Sequence, residues 1–155
     1  MIDLSSTPII LLVILGSVGV ALPVINIAMK EKGSVSAYGA VTLAAMFGSI
    51  GYVLYQLALD HVAPAAIFSA DVLVDDAFGS LFAIAMIIVA IFTTVGSFSY
   101  MKNKANPSIY FSLILLSTIG MVLVAYATDL VMLFIAWELM SIPTYILVGF
   151  LKKDP

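Results

Sequence analysis

The sequence predicts an all-α, polytopic membrane protein of five transmembrane helices, with its N-terminus outside and its C-terminus in the cytoplasm. Three observations carry that reading. The chain of 155 residues is 63% hydrophobic with a mean hydropathy of +1.21, against the roughly 45–50% apolar content of a soluble domain. Breaking it at its charges leaves five apolar runs, each near the ~20 residues that cross a hydrocarbon core. Its lysines, Lys30, Lys32, Lys102, Lys104, Lys152 and Lys153, all fall at ends that alternation places on one side of the bilayer.

The first run, residues 8–29, follows Ser5, Ser6 and Thr7 and opens on Pro8, a first-turn proline whose missing N–H costs nothing there. It is too long for the apolar core of a signal peptide and no basic segment precedes it, so it reads as a retained helix. The second run, 35–59, carries Ala40, Ala44, Gly48 and Gly51 on what is expected to be a smooth face for close helix contact. The third, 77–101, follows the one long connection, 60–76, where Val72, Leu73 and Val74 suggest a short extended or interfacial segment. His61 in that connection reads as a solvated loop residue beside Asp60. The fourth run, 108–128, starts behind Asn106 and Pro107, a capping residue and a first-turn proline. The fifth, 130–151, starts at Asp129, which can cap it.

Charge placement sets the orientation. The positive-inside rule puts the lysine-bearing ends in the cytoplasm and leaves Asp3, Asp60, Asp71, Asp75, Asp76 and Asp129 outside. The whole chain, 1–155, is then a single membrane domain whose first partner is the lipid bilayer of the cell membrane. Without cysteine, disulfides and thiolate metal sites are excluded. There is no phosphate loop, metal-ligand spacing, nucleophile triad or nucleic-acid motif, so neither covalent catalysis nor a nucleic-acid partner is expected. The methionines read as adaptable packing filler.

One residue does not fit an inert bundle. Glu138 lies within the fifth run, which has no other charge between Leu130 and Leu151. A carboxylate at that depth costs on the order of 2.5–3.5 kcal/mol even on lenient insertion scales. Counting about 1.5 Å per residue puts it roughly 13 Å below Asp129, near the middle of a core ~30 Å thick. Ser141 and Tyr145 follow at three and seven residues, near the same helix face. Pro143 cannot donate to the Leu139 carbonyl and so distorts the helix and frees an acceptor beside the carboxylate. A buried acid whose proton affinity depends on a movable cation is the basic element of a pump. The chain has no arginine and its lysines lie at the inner surface, so that cation must come from elsewhere. Glu138 as a protonated or hydrogen-bonded packing residue is the competing reading.

The run from Asp129 to Lys153, with its Glu-Leu-x-Ser-x-Pro-x-Tyr pattern at 138–145, Gly149 and a basic end, resembles the fifth helix of the antiporter-like subunits of respiratory complex I. Val74-Asp75-Asp76-Ala77-Phe78 and Phe98-Ser99-Tyr100-Met101 resemble the third helix and its flanks in subunit N more than in subunits L or M. The likeness is specific from Asp71 to Pro155 and topological before that. It implies an N-terminal portion of a longer subunit, covering five of about fourteen helices and stopping inside the first of two inverted repeats. It also implies that Glu138 is the proton-channel acid, with Ser141 and Tyr145 as relay candidates, and that its lysine sits on a helix missing from this chain. The implied complex oxidises NADH or F420H2. No cofactor is expected in this chain; FMN or FAD, iron–sulfur clusters and quinone or methanophenazine would reside in partner subunits, beside other membrane-arm subunits. Two other readings stand at this point: a subunit of a multi-chain sodium/proton antiporter, and a structural membrane protein in which Glu138 fixes helix packing.

Overall fold

The computed structural model describes residues 6–28, 34–59, 73–102, 104 and 106–150. Five helices account for nearly all of them: α1 (Thr7–Ala28), α2 (Val35–Ala58), α3 (Ala77–Met101), α4 (Pro107–Tyr126) and α5 (Leu130–Gly149). Each is long and apolar enough to cross a membrane. Helices are the form in which a lipid-embedded segment satisfies its own backbone. An isolated antiparallel bridge joins Leu73 and Ala127. That bridge gives the expected extended segment a partial confirmation, while 60–72, including His61, lie outside the described residues.

Three of the five helix starts are capped by the residue just before them. Ser34 caps α2 by accepting from the Ala37 N–H, Asp76 caps α3 by accepting from Gly79 N–H at 2.7 Å, and Asp129 caps α5 by accepting from Val131 N–H at 3.3 Å. Pro107 is the first residue of α4 as expected, but Asn106 makes no side-chain cap. Asn106 instead adopts a left-handed backbone, φ 57°, a conformation asparagine tolerates better than most residues.

α4 is the hub, packing on every other helix. Phe111, Leu115, Ile119, Val122 and Tyr126 are buried on it. α5, by contrast, packs on α4 alone. Hydroxyls stitch the seams. Tyr38 of α2 donates to Asn26 Oδ1 of α1 at 2.6 Å, and Tyr126 of α4 donates to Ser80 of α3 at 3.1 Å. Pro23 inside α1 removes the donor for the Gly19 carbonyl, and Ser112 of α4 donates to that same carbonyl. At the lysine-bearing end, Tyr110 packs edge-on to Phe111 and Phe150 and near Tyr100, an aromatic layer of the kind that sits at a membrane interface.

The small-residue face of α2 turns out differently from expectation. Ala40, Ala44, Gly48 and Gly51 are exposed, and a Cβ at either glycine would meet nothing within 4 Å. The face that packs is Tyr38, Thr42, Ala45, Met46, Ser49 and Val53. Thr42 and Ser49 return their hydroxyls to the carbonyls of Tyr38 and Ala45, so they enter the core without an unpaired donor.

Residues 73–76 clasp the opposite end. Val74 N–H donates to the Tyr126 carbonyl at 3.0 Å, and Asp75 Oδ2 accepts the Thr7 N–H at 2.7 Å. Adjacent aspartates thus cap two helices: Asp76 its own α3, Asp75 the distant α1. Asp75→Ala should lower stability by about 1–2 kcal/mol, the scale of a lost N-cap, and Asp75→Asn, which keeps an acceptor oxygen, by less. Chemical unfolding of the detergent-solubilised variants checks this.

Candidate functional site around Glu138

α5 meets α4 along Ala136, Met140, Pro143 and Thr144. Ala136 and Pro143 are buried. Gly120 of α4 makes the contact possible, because a Cβ there would lie 2.7 Å from Met140 Cα and 2.8 Å from Met140 Cβ. A backbone-to-backbone approach of this kind is what small residues permit in membrane helices. Beside it, Ser117 of α4 donates to the Met140 carbonyl at 3.3 Å, Thr144 donates to the same oxygen at 2.8 Å, and the two hydroxyls are 3.3 Å apart.

This seam fixes where Glu138 points. At about 100° per residue, position 138 is some 200° from both Ala136 and Met140, so its side chain leaves α5 on the side away from α4. Phe134, Ile142 and Tyr145 share that side and are 65%, 53% and 70% exposed. Glu138 is half-buried, shielded along an open groove that it lines with Leu130, Leu133, Phe134 and Trp137. Among the described residues no hydrogen bond or ion pair reaches its carboxylate. The acid therefore sits on an apolar face, and among the described residues no group packed against α5 compensates its charge.

The expected companions of Glu138 differ in exposure. Tyr145 is exposed on the same face, two turns away, beyond direct contact at about 10 Å along the axis. Ser141 is buried, at 7% exposure. Pro143 faces the α4 seam, and no side chain of the described residues donates to the Leu139 carbonyl that it leaves free. The residues that sequence reasoning missed are Ser117, Gly120 and Thr144. Thr144 lies in the same motif beside Pro143 and was legible as a hydroxyl next to a freed backbone group; Ser117 and Gly120 sit on another helix and carried no local signal.

The chain is 33% identical, over 95% of its length, to an NADH-quinone oxidoreductase subunit N of Solibacter usitatus, covering 29% of that protein. It is 31% identical, over 99% of its length, to the NADH-quinone oxidoreductase subunit N of Desulfitobacterium hafniense, covering 30% of it. It is 37% identical, over 51% of its length, to the F420H2 dehydrogenase subunit N of Methanosarcina mazei, covering 16% of it. The chain thus spans less than a third of the length of these relatives. No family model matches it, and no solved structure does.

Since the sequence contains no cysteine, the seam can be tested directly. Ser117→Cys combined with Thr144→Cys should form a disulfide on mild oxidation in membranes, read as a mass loss of two hydrogens. Adding Gly120→Val should suppress it by forcing α5 away; efficient cross-linking in that triple variant would contradict the close seam.

Proposed function

We propose that this homologue of subunit N supplies the Glu138-bearing part of a proton-translocating membrane subunit in a complex I-type NADH-quinone or F420H2 dehydrogenase. The observation that carries the reading is the half-buried carboxylate on the open face of α5, in a chain related to subunit N along almost all of its length. A lone carboxylate in hydrocarbon binds a proton; a cation brought against it favours release. Glu138 would thus load and release a proton as a lysine on a helix outside these 155 residues approaches and withdraws. Ser141 and Tyr145 are relay candidates. Tyr145 lies about 10 Å further along the axis, so water or groups from that further helix would have to complete a path. Flavin, iron–sulfur clusters and the quinone or methanophenazine site belong, on this proposal, to partner subunits. The dehydrogenase names of the relatives favour this reading over a sodium/proton antiporter.

Two measurements test it. Glu138→Gln in the assembled complex should leave assembly intact and lower the number of protons translocated per electron. Unchanged pumping at normal assembly would remove Glu138 from the mechanism. For orientation, a maleimide that cannot cross the membrane should label Lys104→Cys only in inside-out vesicles; labelling in right-side-out cells would reverse the proposed N-out, C-in topology.

A further inference from the structure

Two helices of the bundle contain an internal proline, Pro23 in α1 and Pro143 in α5. Both lie against α4. Each proline deletes one helical hydrogen bond, and such a site is where a membrane helix bends. α4 places a serine near each, but only the first reaches the freed carbonyl. Ser112 donates to the Gly19 carbonyl, the group that Pro23 deprives. Ser117, five residues on, donates to the Met140 carbonyl, one residue past the group that Pro143 deprives.

The second of these brackets lies two residues from Glu138. We infer that Ser117 and Thr144 are positioning residues for Glu138: the Ser117 hydroxyl ties the Met140 carbonyl of α5 to α4, the Thr144 hydroxyl braces the same carbonyl from within α5, and together they set the direction in which the carboxylate leaves the helix. This rests on the proposed proton-exchanging role only for its functional consequence. The geometry is independent of it. Met140 is pinned from two sides, by Gly120 against its backbone and by two hydroxyls on its carbonyl. A turn held at Met140 cannot rotate without swinging Glu138, some 200° around the same axis. The two hydroxyls lie 3.3 Å apart over the same carbonyl, so removing either leaves that oxygen with a single side-chain donor. The face away from α4 offers no comparable restraint. Side chains that hold a functional group must fix it to about 0.5 Å, and this pair is the restraint available on α5 at that level.

The test follows the Glu138 carboxyl itself, by infrared pH titration of its C=O band in the full-length protein in its assembled complex, the band being assigned by its loss in Glu138→Gln. Ser117→Ala and the near-isosteric Thr144→Val should each move the titration midpoint by about half a pH unit or more, with assembly unchanged, and Ser117→Thr should restore it. Unmoved midpoints in both variants overturn the inference. So does a shift that Ser117→Thr fails to reverse, or loss of assembly in both variants, which would make the pair merely structural. The two ideas fail separately. Unchanged pumping in Glu138→Gln removes the proton role and leaves the infrared result to decide positioning.

Discussion

In a hydrocarbon environment every backbone N–H and C=O must find a partner inside the protein, and the bundle is organised around meeting that demand. Helices meet it along their length. The exceptions are helix starts and prolines. Asp75 and Asp76 serve the first turns of α1 and α3 from a single dipeptide. Ser112 serves the acceptor opened by Pro23, while the Leu139 carbonyl opened by Pro143 receives no side-chain donor among the described residues. Thr42, Ser49, Thr94 and Thr118 return their hydroxyls to carbonyls one turn back, so the core accepts them without unpaired donors.

The same demand explains why α4 is central. Lipid tails are as apolar as leucine, so helices in a membrane associate through close packing and hydrogen bonds rather than through apolar area. α4 supplies both: Gly120 admits a neighbouring backbone, and Ser112, Ser117 and Tyr126 reach three different helices. α5 holds to the bundle through the Gly120–Met140 contact and the Ser117–Thr144 pair. Its orientation on α4 in turn presents Glu138 to the outside of the five-helix unit. Function, as proposed, hangs on that chain of consequences: a small residue on one helix decides which way an acid on another helix faces.

The number and extent of the helices and several of their starting points were legible in the sequence because they depend on local signals, namely charge breaks, Asp129 as a cap, and Pro107. Glu138 was legible because an isolated charge in an apolar run is costly and stands out. Facing was not legible. Where a helix is apolar all round, periodicity does not say which side is buried. The stripe Ala40, Ala44, Gly48 and Gly51 therefore suggested a contact face on α2 that the bundle leaves open. Ser141 and Tyr145 likewise suggested one polar stripe with Glu138, although one is buried and the other exposed. Ser117 and Gly120 acquire their roles only when α4 and α5 are side by side, which no local pattern encodes.

The open face of α5 is the point on which everything functional turns. Phe134 and Ile142, one turn to either side of Glu138, are the positions to probe. Nitroxide labels there should collide freely with lipid-dissolved oxygen when the five-helix unit stands alone, and should lose that exposure in the full assembly as a partner helix brings a cation to Glu138. Labels that remain lipid-exposed in the full assembly would leave Glu138 without a partner and contradict a proton-exchanging role.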